Sequence, residues 1–137
     1  MTRTSLASLT TIFVVSANLA FAQGATTVKP LEGYQCMSLA KLWDGQGPEP
    51  APVLVFSGPE AGAASVGAAG GTVIVPSPIR PVNGRSLMIY SNGRQVWINM
   101  SDITAFHAKA NPKATCRPVL LSNGRYGFDS GHYTPTL

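Results

Sequence analysis

Ser86-Leu87-Met88-Ile89-Tyr90-Ser91-Asn92-Gly93-Arg94-Gln95-Val96-Trp97-Ile98 is the stretch that decides the fold class. Two apolar runs flank the pair Asn92-Gly93. Asn-Gly between such runs is the strongest short-range hairpin signal, because a two-residue type I′ turn needs positive φ at both central positions. The stretch reads as strand 86–90, a tight turn, and strand 94–98. Successive side chains of a strand alternate, so Trp97 faces away from Val96 and Ile98. Trp97 then either fills a core or floors a groove with Tyr90 as its neighbour. Aromatic-lined grooves suit extended or Pro-rich peptides.

Working outward, Asn-Gly-Arg recurs at 83–85 and 123–125. The spacing is irregular and the flanks differ, which points to one turn solution used three times rather than to a solenoid. Further short β runs are Val53–Phe56, Thr72–Val75, Val119–Leu121 and Arg125–Phe128. Ser57-Gly58-Pro59 stops the first, and the Gly/Ala-rich residues 60–71 read as a long open loop. Pro76, Pro78 and Pro81 make a rigid connection, and residues 101–104 suit a single helical turn. Short strands joined by turns in a chain this small predict a mostly β fold, a small antiparallel barrel.

The N-terminal side is less regular. Residues 23–33 form a polar leader, either disordered or lying along the domain surface. Residues 34–43 have the propensities of a short helix, with Met37, Ala40 and Trp43 on one face. The alternative is an irregular arm pinned by Cys36. Gly45, Gly47, Pro48, Pro50 and Pro52 make 44–52 a linker, since no helix or central strand survives that density of breakers.

The chain opens with Arg3 and a short apolar stretch, 11–22, that ends Ala20-Phe21-Ala22 before Gln23. The stretch is shorter than the about 20 residues a membrane helix needs, and its small-x-small end suits signal peptidase. Residues 1–22 are therefore expected to be a secretory signal peptide. The remaining 115 or so residues form one domain by length. Secretion or a periplasmic location follows, with no stable membrane insertion after cleavage. In such an oxidising compartment the two cysteines, Cys36 and Cys116, read as one disulfide.

The formal net charge is +4, but the basic residues are scattered. A nucleic-acid surface would cluster Lys and Arg among aromatics, so a nucleic-acid partner is excluded. His107 and His132 have no metal-ligand partner at useful spacing, and neither a metal nor another cofactor is expected. Ser101, Asp102 and His107 are the residue types of a triad without the strand–elbow–helix context that triad chemistry uses. The acidic residues are dispersed, and Gly67–Gly71 lacks the Lys and Ser/Thr of a phosphate loop. An enzyme is not expected. Asn99-Met100-Ser101 is an N-glycosylation sequon, relevant only in a host that glycosylates.

The stretch from Val53 to Phe106 resembles the exported bacterial SH3-like domains, often called SH3b. The resemblance rests on Val55-Phe56-Ser57-Gly58-Pro59, on Val66-Gly67, and on Gly70-Gly71-Thr72-Val73-Ile74-Val75. It continues through Gly93–Ile98, with its Trp97-Ile98 pair, and Asp102-Ile103-Thr104. It covers somewhat under half of the expected mature chain. Two positions depart from the pattern. Phe56 stands where the family often has Arg, and Leu87-Met88 stand where it often has a second Trp. The resemblance implies an SH3-like barrel over 53–106, a C-terminal segment 107–137 with a short hairpin, and an activity of binding. The expected ligand is a cell-wall peptide or a protein partner, with Tyr90, Trp97, Arg85 and Arg94 as candidate contacts. Arg85 and Arg94, at hairpin tips, either hold a carboxylate by paired hydrogen bonds or are simply solvated. A structural or accessory protein of a periplasmic or extracellular assembly, even an inhibitory one, is the alternative.

Overall fold

The structure, a computed structural model, describes residues 26–108 and 111–129. The expected signal peptide and the tail beyond Asp129 lie outside the described residues, as does His132. Ten strands follow one another: β1 (Thr27–Pro30), β2 (Tyr34–Leu39), β3 (Leu54–Phe56), β4 (Ser65–Ala68), β5 (Thr72–Pro76), β6 (Arg85–Ile89), β7 (Gln95–Asn99), β8 (Ile103–Ala105), β9 (Arg117–Leu121) and β10 (Tyr126–Asp129). A 3₁₀ turn, Met100–Asp102, separates β7 from β8. The described residues are thus mostly β.

All pairings are antiparallel and build two sheets. The larger has the order β4-β3-β7-β6-β5-β2-β8, and the smaller β1-β9-β10. β4 and β8 form the edges of the larger sheet, and no ladder joins them. Laid flat, β3 and β8 would stand about 24 Å apart, at roughly 4.8 Å per strand. Yet Val55 of β3 and Ile103 of β8 belong to one buried cluster with Leu39, Val73, Val75, Met88, Val96 and Ile98. The sheet therefore curls around its inner face. Alternation explains the membership: every second residue of β5, β6 and β7 points inward, and those positions are Val, Met or Ile, with Ser86 the exception.

Two expectations are corrected, and one left open between two readings is decided. Residues 34–39 are neither helix nor irregular arm. They form β2, which pairs with β5 on one side and β8 on the other, so the larger sheet reaches well before residue 53. Burial of Leu39 and Cys36 on opposite faces favours the period of a strand over that of a helix. The polar leader contributes β1, which lies along β9. The loop 60–71 contains β4, paired with β3 across a bulge.

The turns also differ from one another. At Asn83-Gly84 both φ values are positive, 49° and 75°, and Val82 and Arg85 exchange both backbone hydrogen bonds, as a two-residue turn requires. At 92–93 only Gly93 is left-handed, with φ 85°. There the Gly93 N–H donates to the Tyr90 carbonyl, the Tyr90 N–H donates to the Arg94 carbonyl, and the Arg94 N–H donates to Asn92 Oδ1. This is a three-residue loop closed by a bulge, not a type I′ turn. The 122–124 loop between β9 and β10 repeats the same bonds through Leu121, Arg125 and Asn123.

Cys36 and Cys116 form a disulfide across a sequence separation of 80 residues. It fastens β2 of the larger sheet to the segment that enters β9 of the smaller one. The sheets also meet where the Tyr126 N–H donates to the Ser91 carbonyl at 2.9 Å. Tyr126 and Phe128 line a small cleft with Ile74 and Ile89, and Val119 is fully buried.

Candidate binding site

The four residues singled out from the sequence do not converge. Arg85 is the first residue after the Asn83-Gly84 turn, yet its side chain lies along the sheet and is 9% exposed. Its Nη1 donates to the carbonyls of Gly58 and Glu60 at 3.1 and 2.7 Å, and its Nε donates to Asn99 Oδ1 at 3.0 Å. The guanidinium lies 3.6 Å from the centre of the Phe56 ring. Cation–π and hydrogen-bond contacts account for most of its donors, so little of the group is left for a ligand. Arg85 is a positioning residue that holds the 57–60 loop against β7.

Tyr90 packs against the buried cluster on the inner face of the larger sheet. Its hydroxyl donates to the Ala68 carbonyl at 3.0 Å. The approach is allowed by Gly67, where an added Cβ would stand 2.7 Å from that hydroxyl. Trp97 alternates with Val96 and Ile98 and so lies on the opposite, outer face, half-buried, across from Leu87 and Phe56. Tyr90 and Trp97 therefore do not share a groove floor. Arg94 is exposed at its hairpin tip.

A cleft of about 550 Å³ lies beside these residues, between the 50–54 segment and the end of β7 with its 3₁₀ turn. Pro50, Pro52, Leu54 and Phe56 supply its apolar wall. Lys41, Asn99, Ser101 and Asp102 supply polar groups of both charges. Leu54 is 47% exposed, although it belongs to a strand. Two wall residues, Phe56 and Asn99, are the ones Arg85 grips. The cleft is thus braced from behind by Arg85. Leu42 and Trp43, which follow the cleft residue Lys41 in the chain, are exposed by 46% and 51%.

The sequence reading missed the cleft. Its walls come from a Pro-rich linker and from strand ends that only the tertiary fold brings together. The one local signal was Phe56, an aromatic residue where the resembling family often has Arg.

Other chemistry is sparse among the described residues. Both cysteines are in the disulfide and offer no thiol. The Ser38 hydroxyl is taken up by the backbone of His107, donating to its carbonyl and accepting from its N–H. No group of three or more His, Cys, Asp or Glu side chains is placed to hold a metal ion among the described residues. The sequon residue Asn99 is half-buried and engaged by Arg85. No helix among the described residues is long and apolar enough to cross a membrane. No protein-family model matches the chain, and no curated protein or solved structure is significantly similar to it.

Proposed function

We propose that the chain is an exported, non-catalytic binding module with an SH3-like barrel, and that it takes an extended peptide in the cleft beside β3 and the 3₁₀ turn. The observation that carries this reading is the cleft itself. It combines a Pro- and Phe-lined wall with a few polar groups, the usual composition of a site that binds an extended chain. The strand order supports the SH3-like description: a five-strand run, β8-β2-β5-β6-β7, with the β3–β4 hairpin added on β7. The Cys36–Cys116 disulfide supports a secreted or periplasmic location, because such bonds persist in oxidising compartments. The ligand class is a cell-wall peptide or a segment of a partner protein, with Arg94 and the Trp97 face as secondary contacts.

The test is retention of the purified, disulfide-intact protein on isolated peptidoglycan. Wild type is compared with Leu54→Asp, Trp97→Ala and Arg94→Ala, each checked for folding. Retention by wild type and its loss in Leu54→Asp supports a wall-peptide ligand in the cleft. Absence of retention at moderate salt removes that ligand and leaves the partner protein.

The exposed pair Leu42-Trp43 favours a second reading, an accessory protein that packs onto a larger assembly. Exposed large apolar side chains next to one another mark protein interfaces. Capture of a partner that is lost in Trp43→Ala and kept in Leu54→Asp would select it.

A further inference from the structure

The chain carries the tripeptide Asn-Gly-Arg at three turns, so the local sequence that sets intrinsic amide reactivity is the same at all three. An Asn followed by Gly is prone to deamidate, because no side chain on the glycine hinders attack by its backbone nitrogen. That nitrogen, stripped of its proton by solvent base, bonds to the Asn Cγ. The side-chain amide nitrogen leaves as ammonia and a succinimide remains. Water then opens the ring to aspartate or isoaspartate. The net reaction consumes one water, releases one ammonia, and needs no oxidant or reductant.

The fold treats the three sites differently. At 92–93 the attacking N–H of Gly93 is held by the Tyr90 carbonyl at 2.8 Å, and Asn92 Oδ1 is held by the Arg94 N–H at 2.9 Å. At 123–124 the Gly124 N–H is held by the Leu121 carbonyl, and Asn123 Oδ1 by the Arg125 N–H, each at 3.0 Å. At 83–84 the turn has another geometry. Its hydrogen bonds run between Val82 and Arg85, and neither the Gly84 N–H nor the Asn83 side chain has a partner among the described residues. Both residues are exposed. At Asn92 and Asn123 the attacking Gly N–H must first leave its carbonyl acceptor, and the side chain is pinned through Oδ1, whereas at Asn83 neither constraint is present.

We propose that Asn83 is the deamidation site of the folded protein, and that its conversion loosens the wall of the cleft. The link to the cleft is short. Arg85, which holds Gly58, Glu60, Phe56 and Asn99, leaves this turn directly, and the Gly84 carbonyl accepts the Met100 N–H at 2.8 Å. Isoaspartate adds a methylene to the main chain of a two-residue turn, which shifts both attachments.

The experiment is peptide mapping by mass spectrometry after incubation of the purified, disulfide-intact protein at mildly alkaline pH. Trypsin cuts after each of the three arginines, so each site falls in its own peptide. Deamidation at Asn83 is expected to outrun each of the other two by about fivefold or more, the factor that corresponds to one typical hydrogen bond. Reduced and denatured chains supply the control, in which the three rates converge. Asn92 or Asn123 reacting as fast as Asn83 in the folded protein overturns the assignment, and so does an Asn83 excess that persists after denaturation. The link to the cleft is read by hydrogen exchange at the Ser57 and Ala63 amides, which donate to the carbonyls of Ala64 and of Glu60, the latter also an acceptor of Arg85. Exchange is expected to quicken in aged wild type and not in Asn83→Gln aged alongside. Equal change in both overturns the link.

Discussion

The guanidinium of Arg85 lies 3.6 Å over the ring of Phe56, and the same side chain donates to Asn99 and to the 57–60 loop. One buried cation therefore ties β3, β6, β7 and a loop into a single unit. Arg85→Ala would leave two loop carbonyls and the Asn99 amide without a donor. The expected loss is about 2–4 kcal/mol in urea unfolding. Arg85→Lys should recover only part of it, since an ammonium cannot match the planar fork or stack in the same way.

Gly67 and Tyr90 form a second pair whose coupling is measurable. A methyl at residue 67 would stand 2.7 Å from the Tyr90 hydroxyl. Gly67→Ala should cost about 1–2 kcal/mol through overpacking. Tyr90→Phe should cost about 1 kcal/mol through the lost bond to Ala68. The double variant should cost less than the sum by about 0.5 kcal/mol or more, because the second change removes the atom that clashes. Strict additivity in a double-mutant cycle would refute the contact.

Gly93 and Gly124 occupy the same position in two copies of one turn, with φ 85° and 78°. Alanine at either should cost about 1–2 kcal/mol from left-handed backbone alone. An added Cβ meets nothing within 4 Å at residue 124, but meets the Tyr126 ring at 3.1 Å at residue 93. Gly93→Ala should therefore be the more harmful, and the excess should vanish when Tyr126 is also alanine. Thermal melts of the four variants decide it.

The disulfide closes a loop of about 80 residues. The chain-entropy account assigns such a loop about 4–5 kcal/mol. Cys36→Ala/Cys116→Ala should lose a comparable amount. Hydrogen exchange should show β9 and β10 opening before the larger sheet, because the smaller sheet loses its covalent tie while the buried cluster of the larger one is untouched.

Much of the fold was legible where local chemistry and tertiary placement agree. Leu87 to Ile98 carried both the turn residues and the alternation, and the strands formed there. The disulfide was expected from the two cysteines behind a stretch read as a signal peptide, and Cys36 and Cys116 are bonded. The legible part ended where partners far along the chain decide the outcome. Residues 34–39 have no strong period of their own, and they become a strand because β5 and β8 offer open edges on either side. Ser65–Ala68, with a glycine, an alanine and only Val66 as a β-branched residue, is too short and small to announce a strand, and it forms one because β3 pairs with it. Among the site residues, Arg85 looked like a solvated turn arginine. The three acceptors that draw it inward come from residues 58, 60 and 99, a set no local window contains.

The covalent tie also determines how the chain answers tension. A pull applied to the segments flanking Cys36 and Cys116 passes through the two sulfur atoms and bypasses β3 to β8. The chain between them, a sequence separation of 80, would otherwise release up to about 270 Å of extended length. With the bond closed, that length stays locked and the cleft is mechanically isolated from whatever the ends are attached to. Reduction removes that lock, so a pull on the ends then acts on the larger sheet itself.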